Sequence, residues 1–404
     1  MSAVATVDRA DLARKARTAP AGTLAALGAV AALAGGTILV LGVLGAAPAR
    51  TWWAYHVNFV FWAALAQAMV VFAATQKLAK GHWSGFVIRF AEAAVAFQVV
   101  ALVLFFGLIL GREHIFSWIA EPRTDLGSWL TPRWFFVRHG AILALLAWLS
   151  WRFVRHDLAP DRAELASGRP VEPDEGQQAT ITREAAFVVL GYAFGYSFLG
   201  YDLVMSLAHK WVSNLYGAFY FMGSFLAALM TLAILTLALR RAMGLDRLIS
   251  PKQLHDLGKL CFGFTVFWAY LLFSQFLVIW YGNLPEETYF IFYRLWGPWR
   301  PVGIAVFAMV FVLPFVGLLG VRPKKYPPTL LLFALVSVTG VWLERFLEVV
   351  PSVNRGAGPA IGLPDVGVTL FFLGLFLLAY AAFAARYPMI SPRLAADTLE
   401  RERH

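Results

Sequence analysis

Apolar residues come in long runs along this chain, with short polar stretches between them, and almost nowhere alternate with the period of two that marks a half-buried strand. The runs fall at about 21–47, 52–78, 86–110, 134–154, 184–207, 213–242, 256–281, 301–321, 327–350 and 366–386. At about 1.5 Å of rise per residue, each is long enough to cross a hydrocarbon layer of about 30 Å. The pattern predicts an all-α polytopic membrane protein with about ten transmembrane helices. The first run is too long for the core of a cleaved leader, and its Ala and Gly content suits close helix packing.

The polar stretches order these spans. Residues 1–20 are basic and read as a cytoplasmic tail, and 387–404 read as a second one. Residues 155–183 hold Pro160, Gly168, Pro170, Pro173, Asp174 and Glu175 and read as a solvated linker, dividing the spans into 21–154 and 184–386. The stretch 111–133 mixes Phe116, Trp118 and Trp129 with charges and reads as lying along the membrane surface. With the N-terminus inside, 24 of the 34 Lys and Arg fall in or beside inner segments and 9 in outer ones, with Arg345 inside a span. That bias predicts both termini in the cytoplasm.

Composition sharpens the class. Of 404 residues, 60% are hydrophobic and 14% charged, more apolar surface than a soluble fold of this size could bury. The formal charge of +10 invites a nucleic-acid reading, but the basic residues sit between apolar runs, as membrane topology requires, so no nucleic-acid partner is expected. A single cysteine, Cys261, excludes a disulfide framework, a thiolate zinc site, an iron–sulfur cluster and covalent haem attachment.

Ionisable groups inside spans are the candidates for chemistry, because each is costly in hydrocarbon. His56, Arg138, His139 and Asp202 fall toward the outer side, as do Glu344, Arg345 and Glu348. Glu92 and Lys259 fall toward the inner side. The arrangement suits two proton half-channels, with Glu92 the leading candidate because it reads as a lone, deep carboxylate. Each group also has a bland reading: Arg345 as counter-ion to its own carboxylates, Lys259 as a boundary anchor, and the histidines as hydrogen-bonded bundle residues. Haem would need histidine pairs on facing helices at matched depth, and only His56 and His139 lie well inside spans. A quinol head group would need a proton acceptor, for which His139 or Asp202 serves. A solute transporter is a third reading, against which stands the lack of paired, broken helices.

The stretch 255–288, HDLGKLCFGFTVFWAYLLFSQFLVIWYGNLPEET, is the most distinctive. Lys259, Gly263, Val266, Tyr270, Ser274, Leu277 and Tyr281 recur at helical spacing, predicting a polar face turned into the bundle, with Tyr270, Ser274 and Gln275 making interhelical hydrogen bonds. Asn283, Pro285, Glu286 and Glu287 form an outer turn that reads as a docking edge. The stretch resembles the smaller polysulfide-reductase-like (NrfD-type) membrane subunit of alternative complex III, a bacterial quinol:electron-carrier oxidoreductase. Two further stretches carry the same resemblance: WWAYHVNFVFWAALAQAMVVF with the later RFAEA, and GYDLVMSLAHKWVSNLYGAFYF. The chain departs from the family at Ala208-His209-Lys210, where an acid-Pro-His run is common.

The resemblance implies two four-helix bundles, spans 2–5 and 6–9, flanked by the first and last spans, in a bacterial inner membrane. It implies a subunit without its own redox centre that serves as scaffold and proton conductor. The partners implied are a larger NrfD-like membrane subunit, an iron–sulfur/molybdopterin-like subunit, and multihaem and monohaem cytochrome c subunits carrying the haem and clusters. Phospholipid and possible quinol complete the expected surroundings.

Overall fold

A computed structural model describes residues 9–120, 127–208, 211–354 and 358–403, all helices, turns and loops. His209 and Lys210, where the chain departs from the family pattern, lie outside them, as do parts of the N-terminal tail and of the 111–133 stretch. In chain order the main helices are α1 (Arg9–Lys15), α2 (Ala21–Leu44), α3 (Pro48–Leu78), α4 (Ile88–Leu110), α5 (Pro132–Ser167), α6 (Glu175–Leu207) and α7 (Tyr216–Ala242). They continue with α8 (Pro251–Gly282), α9 (Pro285–Leu295), α10 (Arg300–Leu318), α11 (Pro327–Val353), α12 (Leu363–Arg386) and α13 (Pro392–Arg403). Ten of these, α2 to α8 and α10 to α12, are long and apolar enough to cross a membrane, so the chain is a multi-pass helical protein of the membrane type. Successive long helices run in opposite directions, giving the molecule two ends. The end that gathers α1 and α13 is called here the termini end, and the other the far end.

Helix α3 is the axis of the fold. Every side chain from Ala54 to Ala74 is buried, the condition of a helix that is apolar on all sides. Around it stand α4, α6, α7, α11 and α12. Helix α5 packs on α4 and α6, while α7, α8, α10 and α11 pack on one another beyond α7. Among the polar groups α3 carries inward, Asn58 accepts from Trp342 Nε1 at 3.1 Å and Gln67 Nε2 donates to Ser150 Oγ at 2.9 Å, while Gln67 Oε1 and Trp62 Nε1 have no partner. A buried group left unmatched costs on the order of 1–3 kcal/mol.

Helices α2 and α12 pack along most of their length, and small residues permit it. A Cβ placed on Gly374 would lie 2.7 Å from Gly28 O, and one on Gly28 2.9 Å from Gly374 O, so only glycine lets these backbones meet.

Local signals set the helix ends. Asp174 accepts from Gln177 N at 2.7 Å and closes a capping box at the start of α6, Ser250 caps α8 ahead of Pro251, and Asn283 ends α8 with φ 47° just before Pro285, each meeting backbone groups a helix end leaves open.

Three sequence expectations change. Helix α5 runs through His156 and Pro160 to Ser167, so 155–167 is helix and only a short segment before Asp174 is not. Phe116 and Trp118 are buried beside His56 and Phe135 rather than lying on the surface. In α8 the buried face is Leu254, Leu257, Cys261, Thr265, Trp268 and Leu271, while Tyr270 is 60% and Tyr281 85% exposed. The face carrying Tyr270 and Ser274 therefore points away from the bundle. Periodicity places residues on a common face but does not say which face turns inward, and here the larger apolar surface of Trp268 and Leu271 wins.

Candidate functional site

Among the described residues, three groups of buried charge hold most of the candidates read from the sequence, while smaller pairs such as Arg152–Glu184 and Arg50–Asp365 stand apart. The first group lies at the termini end, where α4, the end of α3 and the tail of α5 converge. Arg89 is fully buried and donates to Asp157 Oδ2 at 2.8 Å, to the Asp157 carbonyl at 2.7 Å and to Asp161 Oδ2 at 2.6 Å. It also pairs with Glu92, one helical turn along α4. Lys77, at the end of α3, reaches Asp157 Oδ1 at 2.7 Å. Ser391, leading into α13, donates to Asp161 Oδ1 at 2.8 Å, so the C-terminal helix helps close the site.

Two cations here face three carboxylates, a surplus of one negative charge that one proton would balance. Glu92 Oε1 has no hydrogen-bond partner, so Glu92 is the oxygen pair with room for that proton. The expectation of a lone carboxylate is corrected, since Glu92 belongs to a five-residue cluster. Asp157 and Asp161 were missed because Pro160 and the surrounding charges resemble a linker. The signal that could have found them is the spacing of Asp157, Asp161 and Glu164, which puts three acids on one helical face. Above this cluster a polar cavity of about 480 Å³ opens at the termini end, with Lys77, Lys80, His82, Arg393 and Asp397 among its lining. On its rim Asp397 is half exposed: partial burial pulls its carboxyl up, but the hydrogen bonds from His82 and Arg401 outweigh that and hold it below the usual range.

The second cluster lies on α11 against α7 and α8. Arg345 is fully buried and reaches Glu348 Oε2 at 2.5 Å, Glu344 Oε2 at 3.7 Å and the Tyr220 carbonyl at 3.0 Å. Its guanidinium stacks 4.4 Å over the Tyr220 ring, and Trp268 Nε1 donates to Glu344 Oε1 at 2.8 Å. Arg345 faces both carboxylates, and a second buried guanidinium, that of Arg294, donates to the Glu348 carbonyl at 3.0 Å, so two cations stand against two carboxylates here. Glu348 Oε1 has no hydrogen-bond partner. Beside this cluster is a cavity of about 430 Å³, walled largely by aromatic and aliphatic side chains from α7, α8, α9, α10 and α11.

The third cluster is near the far end, between α5 and α6. Asp202 pairs with Arg138 at 2.6 Å, meets His139 Nε2 at 3.1 Å and accepts from Trp129 Nε1 at 3.1 Å. The structure thus brings His139 and Asp202 together, as a pair held by Arg138 and Trp129. His139 Nδ1 lies 2.6 Å from the Phe135 carbonyl. His56 Nε2 lies 2.7 Å from the Leu203 carbonyl, its ring edge against Phe116. Both imidazoles are committed to backbone carbonyls, and among the described residues no group of three or more His, Cys, Asp or Glu could hold a metal ion.

Other candidates stand apart. Lys259 is exposed and pairs only with Asp256, at 2.7 Å, so it joins none of the three clusters; long apolar flanks make a boundary lysine look deeper than it is. Gln275 Oε1 lines the 430 Å³ cavity without a partner, so the interhelical bond expected of it is not made. Asn283, Pro285 and Glu286 are exposed, Glu287 half-buried, and Pro285 starts the unforeseen helix α9. Compared with models of known protein families and with curated proteins, the chain matches none.

Proposed function

We propose that this chain is an integral, redox-inactive subunit of a membrane-bound quinol-oxidising complex of the alternative complex III kind, and that it carries protons through the buried carboxylate cluster at its termini end. The observation that carries the proton reading is the charge imbalance of the termini-end cluster. Lys77 and Arg89 face Glu92, Asp157 and Asp161, one carboxylate more than cations. A surplus buried carboxylate takes and returns a proton at small electrostatic cost, because the neighbouring guanidinium stabilises the ionised form and the low dielectric favours the neutral one. The polar cavity reaches the first cluster at Lys77, on the termini end.

Part of the packing suits the bundle reading that the resemblance implies. Helix α5 lies against α4 and α6, and α8, α10 and α11 lie against one another and α7, with α2 and α12 paired on the flank, while α3 packs on members of both groups. In this reading the termini face the cytoplasm of a bacterial cell, and the Asn283–Glu287 turn lies on the side where cytochrome c and iron–sulfur subunits dock. His139 and Asp202 then act as a structural ion pair that ties α5 to α6.

The test of membership is purification from native membranes in a mild detergent, with subunits identified and a haem spectrum recorded. The reading expects co-purification with a second membrane subunit, an iron–sulfur subunit and haem proteins. Recovery as an isolated, colourless chain that still binds no redox partner in membranes contradicts it.

A further inference from the structure

The 430 Å³ cavity beside Glu344 and Glu348 has a chemistry of its own. Its size falls in the range of small-molecule sites. Its walls include Phe219, Trp268, Phe276 and Phe290, flat surfaces suited to a ring. Its rim includes Phe273 and Ile304, exposed at 60% and 56% on the lateral, apolar surface, so the natural approach is sideways from the hydrocarbon.

Among the lining residues three oxygens lack hydrogen-bond partners: Glu348 Oε1, the Tyr216 hydroxyl and Gln275 Oε1. Tyr216 and Glu348 are more than nine-tenths buried, and buried polar atoms left unmatched are rare and costly. Two of the three can only accept, so the group that satisfies them is a donor. The same wall carries the Arg294 guanidinium, held by the Leu347 and Glu348 carbonyls and by Ser352 Oγ at 2.7 to 3.0 Å, which disfavours a cationic head. The two carboxylates disfavour an anionic one, phosphate included.

The backbone around the cavity is also unusual. Helix α10 widens into a π turn at Ala308–Val312, just ahead of Pro314. Such turns recur at ligand sites because they displace side chains from regular spacing. A Cβ on Gly303 would lie 2.9 Å from Arg294 O, so α10 and α9 close on each other only through this glycine.

We infer that this cavity binds a neutral, membrane-soluble molecule with a flat aromatic head bearing hydroxyl donors and an apolar tail, the head hydrogen-bonded to Glu348, Gln275 and Tyr216. The site rests on the geometry alone; the choice of an isoprenoid hydroquinone as probe rests on the quinol reading above.

The experiment uses the full chain, with whatever partners accompany it, and a photoreactive isoprenoid hydroquinone analogue. Label is expected in the α8 segment around Trp268–Phe276 and in α11 around Glu344–Glu348, and unlabelled hydroquinone competes it away while excess phosphatidylcholine does not. Ala269→Trp fills the cavity and Glu348→Gln removes a charged acceptor at constant size. Each should cut the labelling by about tenfold, the scale of one charge-assisted hydrogen bond or a blocked site. Burial of Cys261 against a thiol dye reports that each variant is folded. Label elsewhere, competition by phosphatidylcholine, or unchanged labelling in a folded variant overturns the site. A chain that purifies without redox partners yet labels at α8 and α11 keeps the site and removes the complex reading.

Discussion

Replacing Arg89 with Met tests the termini-end cluster most severely. The substitution keeps the volume roughly constant and removes the guanidinium that meets Glu92, Asp157 and Asp161. Three carboxylates then share Lys77, which reaches only Asp157. Breaking a buried pair by removing one partner costs about 3–5 kcal/mol, and folded domains as a rule have only about 5–15 kcal/mol to lose. A second change should restore part of it. In the double variant Arg89→Met with Asp161→Asn, Lys77 faces two carboxylates and the surplus returns to one, as in the native cluster. The double variant should therefore recover about 1–3 kcal/mol of the loss, a coupling typical of groups in one network. The assay is built into the chain: Cys261 is the sole cysteine and is buried, so a thiol-activated dye reports unfolding on heating in detergent. Equal midpoints for wild type and Arg89→Met would falsify the electrostatic account, and a double variant no better than the single one would show that charge balance is not what holds the cluster.

Three further outcomes follow from the same geometry. Gly374→Val should lower the thermal midpoint by the equivalent of about 1–3 kcal/mol through overpacking against Ala32 and Gly28, whereas Gly22→Val, which meets nothing within 4 Å, should leave it unchanged; equal effects refute the close α2–α12 approach. Lys259→Ala should change stability by less than about 0.5 kcal/mol and leave turnover intact, and a large loss of turnover would return Lys259 to the proton path. The contribution of Asp397 to docking α13 should be fully present above about pH 4 and fade as pH falls through its depressed value, because a carboxylate held below its usual range stabilises the fold only while ionised. Limited proteolysis of the C-terminal segment against pH measures this, and an Asp397→Asn variant with the same acid profile as wild type excludes the His82–Asp397 contact as its cause.

Much of the architecture could be read from the sequence, since ten apolar runs of sufficient length leave few alternatives once a bilayer is the solvent. The buried charges were legible one at a time, because Glu92, Asp202 and Arg345 each stand out in hydrocarbon. The acidic partners around Glu92 were not. Asp157 and Asp161 flank Pro160 in a stretch whose charge density mimics a loop. The orientation of α8 was misread for a different reason: its hydroxyl-bearing face and its aromatic face are both periodic, and only contact with α7 and α10 decides between them. The second cavity had no sequence signature at all, because it depends on α9 packing against α10 and α11, a product of tertiary structure.

In the proposed function Glu92, the seat of the surplus proton, moves protons coupled to quinol oxidation. The most direct measurement is the number of protons translocated per electron by the purified complex in sealed vesicles, with wild type compared against Glu92→Gln. That substitution keeps the shape of the side chain and removes the proton-carrying oxygen pair beside Arg89. Proton translocation should fall to a small fraction of wild type while quinol oxidation in detergent stays nearly intact. An unchanged proton-to-electron ratio in a folded Glu92→Gln complex contradicts the account.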